Sequence, residues 1–291
     1  MKITVLGGSG FIGSHVCDKL TDEGHDVTIF DVVKSPWIKN NQKMILGDIT
    51  KKDDVFCAVE GADIVYNFAG IADLDDANTK PEETVLFNIL GNTHVLNACV
   101  HHHVSRYIFS STLYVYSRAG GFYRCSKQAC EIYIENFFQT FGLEYTILRF
   151  GSLYGPRATK SNAIRKYIIQ ALRDKQIIYC GCKDALREYI HVEDAAKGSL
   201  EILKPEYKNQ NVILSGHNEI SVENVFKLIR EIIQDNNIRI EFNENTDSNH
   251  YVYSPYSFNP KLGKKFQNPL HIDLGQGILR EIESIFNELR S

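Results

Sequence analysis

Residues 2–6 are a β-branched, apolar run that stops at a cluster of glycines, Gly7-Gly8-Ser9-Gly10-Phe11-Ile12-Gly13, and passes straight into an apolar-periodic stretch. A strand, a glycine turn and a helix in that order are the context of a dinucleotide-binding turn, in which free N–H groups at the helix start face a pyrophosphate. The glycines divide the work: an early one allows the turn, a middle one lets the backbone approach the phosphates, and Gly13 lets the helix pack close on the strand. Two registers fit, Gly8-x-Gly10-x-x-Gly13 and Gly7-x-x-Gly10-x-x-Gly13.

Any tight strand-to-helix turn uses glycines, so the second half of the signal matters. His25-Asp26-Val27-Thr28-Ile29-Phe30-Asp31 reads as a second strand ending in an acid, 18 residues after Gly13. A carboxylate there accepts hydrogen bonds from the adenosine ribose and repels a 2′-phosphate, which predicts NAD rather than NADP.

At 291 residues the chain has room for a nucleotide-binding domain and a smaller lobe. A net charge of −4 offers no basic surface to nucleic acid or membrane. No apolar run is long enough to span a bilayer, and no signal peptide is expected ahead of the first strand. Seven scattered cysteines, an odd number, read as reduced thiols of a cytoplasmic protein. No metal is expected. His101-His102-His103 point in different directions at a helix end, and Cys180-Gly181-Cys182 lacks zinc-ligand spacing and a second pair.

A C-terminal helix is read from about Gly275, and strands are read at 42–46, 63–70, 106–110 and 144–150. They alternate with helices at 53–61, 82–102 and 122–141, and a polar loop joins residue 70 to Pro81. Such alternation predicts an α/β fold, a doubly wound parallel sheet with a smaller C-terminal substrate lobe. Ligands of such a sheet bind beyond the carboxyl ends of its strands, which here carry Gly7, Asp31, Asp48, Ala69-Gly70, Ser110-Ser111-Thr112 and Gly151-Ser152. The expected division is 1–155 for the cofactor domain and 156–291 mainly for the lobe, with some later elements returning to the main sheet.

Tyr123 and Lys127 lie four apart on the predicted helix and therefore share a face. A free tyrosine, with a pKa of ~10, is a poor base near neutrality. A neighbouring ammonium and a positive nicotinamide ring favour the phenolate and are expected to lower that value. Thr112 at the adjoining strand end can orient a substrate alcohol.

With these motifs in order, the sequence resembles the extended short-chain dehydrogenase/reductase family, in its nucleotide-sugar epimerase/dehydratase group. The resemblance also rests on Gly47-Asp48-Ile49, Asn67-Phe68-Ala69-Gly70, Asn88-Ile89-Leu90-Gly91-Asn92-Thr93, Leu148 through Arg157, and Arg187 through Asp194. It implies a Rossmann domain holding NAD, a nucleoside-diphosphate-sugar lobe, and a homodimer packed through helices 82–102 and 122–141. By position, Gly7, Gly10, Phe11, Ile12, Gly13 and Asp31 would hold the cofactor. Asp48 and Ile49 would meet its adenine, Phe68, Ala69 and Gly70 its riboses and pyrophosphate, and Tyr123 and Lys127 its nicotinamide end. Thr112 and Tyr123 would hold the reacting sugar hydroxyl, with Thr112, Tyr123 and Lys127 as the catalytic set. Ser152 and Arg187 would lie by the sugar diphosphate. A surface ion pair of Arg187 with Glu188 or Asp184 is the competing reading of that arginine.

Departures from the family pattern carry information. Serine stands at 152 where the family usually has asparagine, and Leu113-Tyr114 stand where dehydratases carry an Asp-Glu pair. Only ten residues separate Thr112 from Tyr123, and Asn249-His250-Tyr251-Val252-Tyr253 replace a customary arginine. The expected reaction is NAD-dependent epimerisation of a nucleoside-diphosphate sugar, at carbon 4, through a transient keto-sugar. A net oxidoreductase acting on such a sugar is the alternative, followed by a non-catalytic NAD-binding sensor.

Overall fold

The apolar, β-branched segments pair into a seven-stranded sheet in which every neighbouring pair is parallel. In the computed structural model, which describes residues 1–243 and Pro255, β1 (Lys2–Leu6) leads through the glycine turn into α1 (Phe11–Asp22) and β2 (Asp26–Asp31). β3 (Lys43–Leu46), α2 (Lys52–Val59) and β4 (Ile64–Asn67) follow. Next come α3 (Leu74–Thr79), α4 (Pro81–Thr84), a π-helical stretch Val85–Leu90, α5 (Gly91–His101) and β5 (Arg106–Thr112). A 3₁₀ turn, Leu113–Tyr116, precedes α6 (Gly121–Phe141) and β6 (Tyr145–Phe150).

Beyond β6 the chain forms β7 (Ser152–Tyr154), α7 (Ala163–Asp174), β8 (Gln176–Cys180), β9 (Leu186–His191) and α8 (Val192–Glu201). It then forms β10 (Gln210–Leu214), β11 (Glu219–Ser221), α9 (Val222–Ile233) and β12 (Arg239–Asn243). β10 joins the main sheet beside β6, giving the order β10-β6-β5-β4-β1-β2-β3. β7, β9 and β11 form a small mixed sheet, and β8 pairs with β12. The expected C-terminal helix from about Gly275, and the segment Asn249–Tyr253, lie outside the described residues.

Residue alternation explains the two layers. Ile3 and Val5 face α1 and α8 on one side of the sheet, together with Ile64, Tyr66, Ile108 and Leu148. Leu6, Val65, Tyr107, Phe109 and Ile147 face α2, α5 and α6 on the other. A parallel sheet buried on both faces needs these continuous apolar strands. The strand order reverses at β1 and β4, the switch point at which such sheets open a crevice.

Two expectations need correcting. The polar stretch after residue 70 is not wholly loop. Asp73 caps α3 by accepting hydrogen bonds from the N–H groups of Asp75 and Asp76 at 2.9 and 3.1 Å, although the helix buries only Ala77. The helix expected over 82–102 is interrupted by the π-helical register of Val85–Leu90, which turns the Asn88 side chain into the protein.

Candidate active site

The glycine turn settles into the register Gly7-x-x-Gly10-x-x-Gly13. Gly7 has φ +75°, and a Cβ there would stand 2.6 Å from the Ala69 nitrogen, so only glycine lets β4's end come this close. A Cβ at Gly13 would run into the Gly7 carbonyl oxygen. α1 has no side-chain cap at Gly10, which leaves the first-turn N–H groups of Phe11, Ile12 and Gly13 without an intrahelical partner. That is the donor set an anionic pyrophosphate requires.

Beside the turn lies a cleft of about 300 Å³ lined by Gly7, Gly10, Asp31, Asp48, Ile49, Phe68, Ala69 and Gly70 among others. The Asp31 carboxylate accepts from the backbone of Ser9 at 3.0 Å and of Val33 at 3.3 Å, tying strand β2 to the glycine turn. Asp48 Oδ1 accepts from both the N–H and the hydroxyl of Thr50. A carboxylate has about four acceptor positions, so both acids keep lone pairs for ligand hydroxyls or amines. The cleft's glycine floor and its acids therefore fit the adenosine and pyrophosphate part of a dinucleotide.

Thr112, Tyr123 and Lys127 converge at the carboxyl end of β5. The Tyr123 hydroxyl faces the Thr112 side chain. Lys127 is 5% exposed and its Nζ donates to the Ser110 carbonyl at 2.7 Å. The ammonium sits 4.7 Å from the centre of the Phe109 ring and 5.8 Å from that of Tyr123.

The expected lowering of the phenol rests on the ammonium and the nicotinamide ring together; burial in the protein pushes Tyr123 up to about 12, and the Thr112 side chain offsets only part of this. Burial also lowers Lys127 to about 8, against the opposing pull of Cys130 and Glu131. The protein alone thus holds a protonated phenol, with a lysine whose charge responds readily to its surroundings.

Ser152 and Arg187 belong to the small sheet, where Ser152 pairs with Tyr189, two residues from Arg187 on β9. Alternation puts Ser152, Tyr189 and Arg187 on one face of that sheet. Arg187 is 7% exposed and donates to the Leu186 carbonyl at 2.8 Å, so it is not a surface residue. Neither Ser152 nor Arg187 lines the dinucleotide cleft.

Two connections went unread in the sequence. Asn88 donates to the Ile71 carbonyl and to Ser126 Oγ, and accepts from the Ile71 N–H at 2.7 Å. It joins the loop after β4 to the turn of α6 that carries Lys127. Its motif was visible, but the π-helical register that aims it was not. The second is a buried cluster around Glu131, described below.

Comparison with known proteins agrees with this geometry. Residues 3–214 match the family described as NAD dependent epimerase/dehydratase. A putative UDP-glucose 4-epimerase of Methanocaldococcus jannaschii is 27% identical over 99% of this chain and 100% of its own. The dTDP-D-glucose 4,6-dehydratase of Mus musculus is 26% identical over 82% of this chain and 75% of its own. The crystal structure of a UDP-glucose 4-epimerase from Thermotoga maritima has the same fold, with a TM-score of 0.81 at 24% identity, covering 89% of this chain and 90% of that one.

Proposed function

The chain belongs to the NAD dependent epimerase/dehydratase family, and on that premise we propose that it interconverts a nucleoside-diphosphate sugar, most simply a UDP-sugar, with its 4-epimer. The observation that carries this reading is the convergence of Thr112, Tyr123 and the buried Lys127 at the carboxyl end of β5, with Leu113 and Tyr114 following Thr112. Dehydration needs an added acid and base next to Thr112. Leucine supplies neither, and tyrosine is no carboxylate.

In this reading 1–155 holds the cofactor and 156–291 mainly the nucleotide sugar. Gly7, Gly10, the N–H groups of Phe11, Ile12 and Gly13, Asp31, Asp48, Ile49 and Phe68 to Gly70 hold NAD, with Tyr123 and Lys127 at its nicotinamide end. Bound NAD supplies a reversible hydride store and a positive ring. Thr112 orients the sugar hydroxyl, and Tyr123 takes its proton. Lys127, its Nζ 5.8 Å from the centre of the Tyr123 ring, would favour the phenolate together with the positive nicotinamide ring. Once the keto-sugar has turned so that hydride would return to the opposite face of its carbon, Tyr123 gives the proton back to the sugar oxygen. Ser152 and Arg187 hold the diphosphate, which a planar guanidinium suits.

The functional unit in this reading is a homodimer. Leu86 and Leu90 along one helical stretch, and Ile132, Tyr133 and Phe141 on α6, are exposed apolar side chains of the kind a helix-packed interface covers. The seven cysteines are all free thiols, in keeping with a reducing, cytoplasmic setting. The test is incubation with UDP-, dTDP-, GDP- and CDP-sugars, followed by NMR and mass. An epimer of unchanged mass with no net NADH is expected. Stoichiometric NADH production or consumption would replace the epimerase by an oxidoreductase.

A further inference from the structure

Below the acid–base residues lies a buried polar cluster with no part in the steps above. Tyr123, Lys127 and Glu131 follow one another at four-residue intervals on one face of α6. Both Glu131 oxygens are engaged. Oε1 accepts from Ser111 Oγ at 2.5 Å and from Arg149 Nε at 3.1 Å, and Oε2 accepts from Arg149 Nη2 at 2.6 Å. Arg149 also donates to the Tyr116 hydroxyl and lies over that ring. Ser111 and Arg149 are register partners on β5 and β6, so the cluster spans both strands, the 3₁₀ turn and α6.

The Arg149 and Glu131 side chains are only 12% and 9% exposed. A buried ion pair stabilises a fold weakly compared with apolar side chains of the same volume, so fold stability is a poor reason for this one. Its position offers a better one. Glu131 stands one turn below the ammonium and, of the pair, is the partner whose charge acts on Lys127. The other groups facing Lys127 are Tyr123 and Cys130 on α6 and the Ser110 carbonyl and Phe109 ring on β5. Arg149 of β6 stands behind Glu131.

We propose that Glu131 is a positioning residue for the reaction: clamped by Arg149 and Ser111, its carboxylate keeps Lys127 protonated beside Tyr123 and fixes α6 against the strand end that carries Thr112. This rests on Tyr123 and Lys127 being the acid–base pair. The two ideas fail separately.

Thermal melts of wild type and Glu131→Gln, from about pH 6 to about pH 10, read the electrostatic half without turnover. Lys127 titrates in the fold near 8, below its ordinary 10.5, so its charge costs stability at low pH and the cost lifts as pH rises through 8. Removing the carboxylate lowers that folded value further. The Tm deficit of Glu131→Gln is therefore expected to be largest below about pH 7 and to narrow by about pH 8.5. A deficit that stays flat with pH overturns the proposal.

In turnover, the alkaline limb of kcat/KM should move down by about one pH unit, the size of one nearby charge. An unmoved limb also overturns it, because a merely structural residue lowers the profile without shifting it. If Glu131→Gln does not fold, Glu131→Asp carries the same test, with a smaller displacement expected in both readouts and none overturning the proposal. Full turnover in Lys127→Met would sink the acid–base reading while leaving the melting result to stand.

Discussion

The dinucleotide cleft and the acid–base wall stand at the carboxyl edge of one sheet but are made in opposite ways. The cleft is made by absence: missing Cβ atoms at Gly7 and Gly13, uncapped N–H groups at α1, and acids that keep spare lone pairs. The wall is made by dense, buried charge, with Lys127, Glu131 and Arg149 drawn together from α6 and β6 under the tip of β5. A site of the first kind tolerates little added volume. One of the second kind tolerates shape-preserving changes but responds to any change of charge.

The largest effect should come from Tyr123→Phe, which keeps the wall's shape and removes its proton. Turnover is expected to fall by ~10²-fold or more while NAD still binds, checked by steady-state rates and calorimetry. Near-normal turnover would remove Tyr123 from the chemistry.

Gly13→Ala tests the cleft in the opposite way, by adding one carbon against the Gly7 carbonyl. Backbone must shift, so a destabilisation of ~1–3 kcal/mol with weakened NAD binding is expected in denaturant titrations. A variant as stable as wild type and with its affinity would mean that the turn is looser than its geometry.

Asp31→Ala should be milder. A hydrogen bond to a charged group contributes ~1.5–3 kcal/mol, so a roughly tenfold or greater loss of NAD affinity is expected, together with a narrower margin over NADP. Equal affinity of the wild type for the two cofactors would end the assignment of Asp31 as the discriminating acid.

The smallest effect sharpens the contrast most. Because burial holds Lys127 near 8, below its ordinary 10.5, its protonated form destabilises the fold at neutral pH. Lys127→Met should therefore melt a few degrees higher than wild type at about pH 7, with the gain shrinking as pH rises past 8 and gone above about pH 10.5. No gain at neutral pH would show that the ammonium is better solvated than its burial indicates.

The sequence by itself determined the cleft. Its parts are local: a strand, a glycine turn and a helix start need only neighbours in the chain, and apolar strands alternating with helices dictate a parallel sheet whose strand ends bring Asp31 and Asp48 to that turn. The pairing of Tyr123 with Lys127 was equally legible, since helical spacing alone puts them on one face. What only the tertiary structure decided is the electrical state of that face. The lowering expected of Tyr123 comes from two neighbouring positive charges, whereas burial, a property of everything packed around it, pushes it up to about 12. Glu131 meets Arg149 across 18 residues of chain and Ser111 across 20, and Asn88 reaches Ser126 across 38 through a π-helical turn that no apolar periodicity announces. Backbone requirements are written where they act, whereas a buried charge depends on distance and dielectric, which exist only once the chain is folded.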